Sequence, residues 1–140
     1  MNQQLIVQPV VALMLLTLLV WLYMYAKRIP YIVGHKIPGK LIATPELLNA
    51  RLPQELSYSS NNLKNLFELP VIFYALCLLL LVTQKVDVTY LYAAWTYVAL
   101  RTAHSLIQCT RNVVEQRFAA YLLSSLVLWF MVLRFALAMF

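Results

Sequence analysis

The chain is expected to be an all-α membrane protein: one domain, residues 1–140, folded as a bundle of four transmembrane helices. Two observations predict this. Hydrophobic residues make up 63% of the chain and charged residues 11%, whereas an ordinary soluble domain is about 25% charged. Four apolar stretches also reach the length of about 20 residues that a helix needs to cross a bilayer. They span residues 5–26, 62–83, 88–109 and 118–139.

The first stretch is predicted to be a retained helix rather than a signal peptide. The residues before it include no Lys or Arg, its apolar run is too long, and no small-residue cleavage site follows. Lys27 and Arg28 come directly after it. This pattern fits a helix whose C-terminal end lies in the cytoplasm.

The connection over residues 27–61 is long and rich in Pro and Gly. Within it, Thr44, Pro45 and Glu46 form a helix-start pattern, with an N-cap, a proline at the first helical position and an acid in the first turn. A short interfacial helix is therefore expected at about residues 45–51. A loop of this length is either a cap over a site or a surface linker, and the sequence leaves both open.

The other two connections are short, residues 84–87 and 110–116. The second and third helices are therefore expected to be antiparallel neighbours. Ser59, Ser60 and Asn61 offer N-caps for the second helix. Neither an internal repeat nor a discontinuous helix of the transporter kind is predicted, which disfavours a small transporter or channel.

Basic residues gather on one side of the predicted bundle. The first and third connections hold or adjoin eight Lys and Arg residues, whereas the second holds only Lys85. Cytoplasmic loops carry such an excess, so both termini are expected outside. Topology and contact with anionic lipids explain the net charge of +6, and nucleic-acid binding is not predicted. Arg134 is expected to snorkel to the outer interface, where Asp87 is a possible partner.

Six polar residues lie inside the predicted spans, all within the cytoplasmic leaflet at about 1.5 Å of rise per residue. Within each helix they recur at i,i+3 or i,i+4 spacing and so share one face. Ionisable residues inside a membrane are costly and indicate a functional site. A polar pocket between helices is therefore expected from Asn65, Glu68, Arg101, His104, Arg117 and Tyr121.

Structural roles are the alternatives for several of these residues. Glu68 and Arg101 could form a buried ion pair that fixes helix packing, which does not exclude a part in binding. His104 alone is typical of a hydrogen-bonded packing residue, and Arg117 of a cation that marks the membrane interface.

Metal and nucleophile sites are not predicted. One His and one Glu on separate helices are too few ligands for zinc. Cys77 and Cys109 lie on different helices without C-x-x-C spacing, so both are expected to be packing residues. The serines lack a base-and-orienter arrangement. Positive charge and amide donors beside an apolar wall instead suit an anionic, peptide-like ligand that reacts with a lipophilic partner from the bilayer.

The polar residues fall into three ordered motifs: Asn65-Leu66-Phe67-Glu68-Leu69-Pro70, then Arg101-x-x-His104, then Arg117-x-x-x-Tyr121. This ordered set resembles the MAPEG family, the membrane-associated proteins in eicosanoid and glutathione metabolism. The resemblance runs from about residue 61 to residue 134. The sequence around the first motif is similar to that of bacterial members. Within the family, the chain resembles the microsomal glutathione transferases.

The resemblance implies a homotrimer of four-helix protomers in a bacterial inner membrane. Glutathione would be the co-substrate, bound between neighbouring subunits near the cytoplasmic side. On the family pattern, Asn65 and Glu68 hold the glutathione backbone and amino group, Arg101 takes a carboxylate, and His104 lines the site.

The same pattern gives Arg117 the role of stabilising the thiolate, since a nearby cation lowers a thiol pKa from about 8.5. Tyr121 would donate a hydrogen bond or stack on the ligand. The implied activity is conjugation of glutathione to lipophilic electrophiles, reduction of lipid hydroperoxides, or both. The alternative is a non-catalytic MAPEG-like protein that binds lipid or serves as an accessory subunit.

Three positions depart from the family pattern. Asn61 stands where many glutathione-using members carry Arg, Gln108 where members often carry Tyr, and Leu69 where Tyr or Thr often follows the Glu. These departures remove cationic and phenolic contacts with glutathione. Lys64, Arg28 and Arg111 are candidates to compensate for the weaker binding of glutathione.

Overall fold

A computed structural model describes residues 2–140 and contains six α-helices. No strand occurs in this part of the chain, so the all-α class is confirmed. Short 3-10 turns at Gln3–Ile6 and Gly39–Ile42 precede the first and second helices. The helices are α1 (Val7–Gly34), α2 (Pro45–Arg51), α3 (Gln54–Leu66), α4 (Leu69–Val82), α5 (Val88–Cys109) and α6 (Val114–Met139).

Three segments are long and apolar enough to cross a membrane: Gln3–Gly34, Gln54–Val82 and Val114–Met139. They confirm the membrane character that the composition predicted. α5 has 22 residues but is more polar, and it packs against α1, α3 and α6. The buried polar residues of α5, Arg101, His104, Ser105 and Gln108, lie among the helices, and a fourth span through α5 stays a prediction.

Two predicted boundaries of the long connection are wrong. α1 continues beyond residue 26 to Gly34, where the Ile37 N–H donates to the Ile32 carbonyl (3.1 Å) and Lys36 adopts a left-handed φ of 49°. This is a Schellman-type helix end. The next boundary also shifts, because α3 begins at Gln54, directly after Pro53.

The early start of α3 overturns the predicted N-caps of the second span. Ser59, Ser60 and Asn61 lie inside α3, and Ser59, Ser60 and Asn62 are buried. Their polar composition resembles that of a loop, but α3 packs this face against α1 and α5. The amphipathic packing, rather than a capped membrane entry, explains the polar residues.

The predicted short helix over residues 45–51 is confirmed, and its location at the membrane interface stays a prediction. α2 covers Pro45–Arg51, and its N-cap Thr44 accepts a hydrogen bond from the Leu47 N–H at 3.3 Å. Pro45 occupies the first helical turn and Glu46 lies in it. Each feature supports a helix start in the way the sequence indicated.

A break separates α3 from α4, contrary to the expected continuous helix over residues 62–83. Pro70 has no N–H to donate to the Leu66 carbonyl, which lies four residues before it. The Phe67 N–H instead donates to the Lys64 carbonyl at 2.9 Å. Glu68 has φ −95° and ψ −107°, outside the helical region. The prediction of one unbroken helix over residues 62–83 is therefore wrong, although Gln54–Val82 still counts as one candidate membrane span.

An ion pair joins the start of α5 to α6 at the end of the bundle opposite the predicted pocket. Arg134 donates two hydrogen bonds to the Asp87 carboxylate (2.5 and 2.9 Å) and lies over the Tyr90 ring at 4.3 Å. Asp87 also caps α5 by accepting from the Tyr90 N–H. The predicted partnership of Arg134 with Asp87 is confirmed. The hydrogen bonds from Arg134 hold the pKa of Asp87 below its usual value.

Candidate functional site

A cavity of about 500 Å³ lies between the α3–α4 break, α5 and α6. Five of the six residues singled out in the sequence are on its wall, and Arg101 is not. Two of the positions that depart from the family pattern, Asn61 and Gln108, are on the wall as well. The cavity is lined by Asn61, Lys64, Asn65, Glu68, His104, Gln108, Val114, Arg117, Phe118 and Tyr121.

Glu68 reaches the cavity from the break in the helix. The Glu68 side chain is exposed. Within residues 2–140, Glu68 and Arg101 do not form an ion pair. The suggested buried Glu68–Arg101 pair is thus absent. An exposed carboxylate at the rim is free to accept hydrogen bonds from a ligand ammonium group.

An amide pair forms the wall between α3 and α5. The Asn65 Nδ2 donates to the Gln108 Oε1 at 3.1 Å, and Gln108 is buried. The carbonyl oxygen of Asn65 and the amide nitrogen of Gln108 have no hydrogen bond elsewhere in residues 2–140. One acceptor and one donor remain for a peptide-like ligand.

Arg117 lies in the first turn of α6, beside the cavity. Its Nη1 donates to the Asn112 Oδ1 at 2.6 Å, and this is the one hydrogen bond its guanidinium makes within the described chain. Asn112 has a left-handed φ of 49°, a conformation that Asn tolerates better than most residues. The positive end of the α6 dipole adds to the charge of Arg117, so an anion is favoured here.

Arg101 lies one layer behind the cavity wall. It is fully buried, and its Nε donates to the Tyr97 hydroxyl at 3.2 Å. Its guanidinium carbon lies 4.8 Å from the centre of the Tyr121 ring, and the His104 ring is 5.8 Å from the same ring. Both terminal nitrogens of Arg101 lack a partner within residues 2–140. A buried cation without a counter-charge is costly.

The charge around the cavity is therefore positive. Lys64 and Arg117 line it and Arg101 stands behind it, against the single carboxylate of Glu68. Phe118 lies on the same wall and is 61% exposed, which places an apolar surface beside the cationic one. The geometry suits a zwitterionic ligand with more than one acidic group, next to an apolar reactant.

Comparison with known protein families gives a match that covers nearly the whole chain. The model of the MAPEG family matches residues 6–137, a range that includes every residue of the cavity wall. The chain belongs to the MAPEG family. No curated protein and no solved structure matches the chain at a significant level. Membership shows a relation to the membrane-associated proteins of glutathione and eicosanoid metabolism.

The cysteines of this MAPEG protein are both free. Cys77 is buried in the core, and the Cys109 sulfur lies 3.5 Å from the Asn62 Nδ2, which donates to it. No group of three His, Cys, Asp or Glu side chains within residues 2–140 is placed to hold a metal ion.

Two supporting residues of the MAPEG site escaped the sequence reasoning. Asn62 is fully buried behind the amide wall, where its Oδ1 accepts from the Ser105 hydroxyl at 3.2 Å. Asn112 holds Arg117. Asn112 had a signal in the sequence, because it lies in the short connection after α5 and Asn is enriched among residues with a left-handed φ. Asn62 had none, since it lay in a segment interpreted as a membrane entry.

Proposed function

We propose that this MAPEG protein is a glutathione-dependent membrane enzyme. It conjugates glutathione to lipophilic electrophiles, reduces lipid hydroperoxides, or does both. The observation that carries the proposal is the single cavity in which the cations Lys64 and Arg117, the amides of Asn65 and Gln108, and the apolar Phe118 meet. Glutathione is a short peptide with two carboxylates, one ammonium group and a thiol, and this wall offers complementary groups for the ammonium group, the thiol and one carboxylate.

The binding roles follow from the free hydrogen-bonding groups. Glu68 accepts from the glutathione ammonium group, and Asn65 accepts from a peptide N–H with the oxygen that Gln108 leaves unused. Lys64 takes a carboxylate, which compensates for Asn61 at the position where many members carry Arg. Arg101 is not on the wall, but its positive charge lies directly behind the Tyr121 ring. In this proposal it attracts a glutathione carboxylate from that position rather than by direct contact.

The catalytic residue in this proposal is Arg117. Its guanidinium has two nitrogens that make no hydrogen bond within residues 2–140 and can donate to the glutathione sulfur. A cation beside the sulfur favours the thiolate, which is the nucleophile. Tyr121, one turn further along α6, donates a second hydrogen bond to the sulfur or stacks on the ligand, and His104 packs beside it.

Both reactions balance with glutathione and a lipophilic reactant. In conjugation, the thiol loses its proton to solvent, the sulfur bonds to an electrophilic carbon, and a leaving group departs with its electron pair or the adjacent atom takes up a proton. In peroxide reduction, the thiolate attacks the terminal peroxide oxygen and becomes a sulfenic acid as the O–O bond breaks. The alkoxide leaves with the electron pair of that bond and takes up a proton from solvent to give the alcohol. A second glutathione then converts the sulfenic acid to the disulfide and water.

The remaining features of the proposal concern the assembly and the membrane. We propose four membrane spans per protomer, with α5 as the fourth, assembled as a homotrimer with membrane lipid around it. The bias of Lys and Arg toward the first and third connections supports a cytoplasmic site and external termini in a bacterial inner membrane. Reduced glutathione is plentiful on that side.

Ultraviolet absorbance of the thiolate tests the proposal. Glutathione is titrated into the detergent-purified protein, with Arg117→Ala run beside it and Arg111→Ala, an exposed cation outside the cavity wall, as the matched control. A saturable thiolate signal is expected in the wild type and in Arg111→Ala but not in Arg117→Ala, whose assembly should be unchanged. An unaltered signal in Arg117→Ala would contradict the role of this residue. No signal at millimolar glutathione in the wild type would instead favour a lipid-binding or accessory protein.

A further inference from the structure

A second cavity, of about 300 Å³, lies under the connection that joins α1 to α3. It touches the first cavity only through Lys64, which lines both. No Asp or Glu is on its wall, which is formed by Arg28, Ile42, Ala43, Thr44, Pro45, Leu48, Asn49, Ser60 and Lys64. The two charged residues on the wall, Arg28 and Lys64, are therefore both cations, and they lie beside apolar side chains.

Arg28 gives this cavity a rigid, buried cation. The residue is 8% exposed, and its Nη2 donates to the Ser60 hydroxyl (2.7 Å) and to the Asn49 Oδ1 (3.1 Å). Its Nε donates to the Leu56 carbonyl at 3.2 Å. All three acceptors are neutral, so the charge is held in place without being compensated.

The third nitrogen of this guanidinium is free. Within residues 2–140, Nη1 of Arg28 makes no hydrogen bond, and it is not sealed off from the cavity. Lys64 adds a second cation on the opposite element, α3. A fixed guanidinium edge with a nearby ammonium group is an arrangement that matches the oxygens of a phosphate.

The surroundings of the cavity are those of a membrane surface. Arg28 lies near the end of the span Gln3–Gly34. Large apolar side chains on the adjoining elements are exposed, with Ile29 at 54%, Val33 at 68% and Leu47 at 45%. A headgroup bound at Arg28 would therefore have acyl chains beside apolar residues, and basic groups at this level attract anionic lipids.

We propose that this second cavity binds the phosphate of an anionic phospholipid headgroup, with Arg28 as its main ligand and Lys64 as the second. The site would fix the connection and α2 onto the membrane surface. It shares Lys64 with the proposed glutathione site, but its main ligand, Arg28, is not on that wall and the proposal does not depend on the proposed enzymatic function. A soluble phosphate shares the same chemistry, so the experiment includes it as a competitor.

Filling the cavity tests the proposal without removing any hydrogen bond. Ala43 is an exposed residue on the wall, and Ala43→Trp places a large side chain in the space. The matched control is Ala50→Trp, because Ala50 is exposed on α2 but is not on the wall. The full-length protein in detergent is titrated with a fluorescent phosphatidylglycerol, with phosphatidylcholine as the zwitterionic comparison, and binding is followed by anisotropy.

Phosphatidylglycerol is expected to bind more tightly than phosphatidylcholine, and Ala43→Trp should weaken it about tenfold while Ala50→Trp leaves it unchanged. Arg28→Gln should give a similar loss. Equal binding by Ala43→Trp and the wild type, or no preference for the anionic lipid, would overturn the proposal. Full displacement of the lipid by millimolar inorganic phosphate would contradict the proposal that the bound phosphate belongs to a lipid.

Discussion

The hydrogen bond from Arg117 to Asn112 offers a way to change the charge at the proposed thiolate without touching Arg117. Asn112→Asp replaces the amide oxygen, 2.6 Å from Nη1, with a carboxylate of almost the same shape. Asp tolerates the left-handed φ of 49° at this position nearly as well as Asn. Arg117 should stay in place, while its field is partly neutralised.

The expected effect on the thiol follows from the distance. A sulfur on the far side of the guanidinium would lie about 7 Å from the new carboxylate, and at an effective dielectric constant of about 40 the repulsion is roughly 1.2 kcal/mol. Since one pKa unit corresponds to about 1.4 kcal/mol, the apparent pKa of bound glutathione should rise by about one unit. At a pH well below this pKa, the thiolate fraction should then fall by up to about tenfold.

The assay is a pH titration of the thiolate absorbance at saturating glutathione. Asn112→Gly is the control, because Gly adopts the left-handed conformation freely and removes the hydrogen bond without adding charge. We expect the apparent pKa to shift much less in Asn112→Gly than in Asn112→Asp. Equal apparent pKa values in the two variants would refute the assignment of Arg117 as the residue that stabilises the thiolate.

Three further perturbations test other parts of the molecule. Pro70→Ala returns a backbone donor to the break, so α3 and α4 should merge and Glu68 should shift. The Kd for glutathione should then rise severalfold in the thiolate titration, and an unchanged Kd would contradict the role of the break. Phe118→Ala should raise KM for a lipophilic substrate while the thiolate signal stays the same, and a loss of that signal would oppose its assignment to the apolar reactant. Asp87→Asn should lower stability by about 0.5–1 kcal/mol, because the ion pair with Arg134 is partly exposed and screened. Since the pKa of Asp87 is lowered in the folded state, the contribution of the ion pair to stability is present above about pH 4 and is lost as the pH falls through the pKa of the folded protein. The thermal unfolding temperatures of the wild type and the variant should therefore converge at low pH.

The sequence predicted the helical class and much of the site from local signals. Thr44 and Pro45 marked α2 correctly because capping is a property of neighbouring residues. The shared depth of Asn65, His104 and Tyr121 predicted that they would line one pocket, since the rise of a helix converts a residue count into a distance. These three residues lie on the wall of one cavity.

The errors arose where tertiary contacts decide the structure. The serines of α3 are typical of a loop in sequence. In the structure Ser60 is buried, and its hydroxyl accepts a hydrogen bond from Arg28 on α1. The position of Arg101 behind the wall depends on the rings of Tyr97 and Tyr121, which meet it from α5 and α6. The break before Pro70 had a local cause, and the apolar run around it obscured that cause.

The break has an electrical consequence. α4 has 14 residues and so spans about 21 Å, which is less than the roughly 30 Å of hydrocarbon in a bilayer. The α3–α4 break and the end of α3 line the polar cavity, and in the proposed membrane placement water and ions that enter this cavity would hold its potential close to that of the adjoining solution. Most of the membrane voltage therefore falls across α4 and its neighbours. A charge that forms in the cavity crosses little of this field, so ionisation of a bound thiol should be nearly independent of the energised state of the membrane.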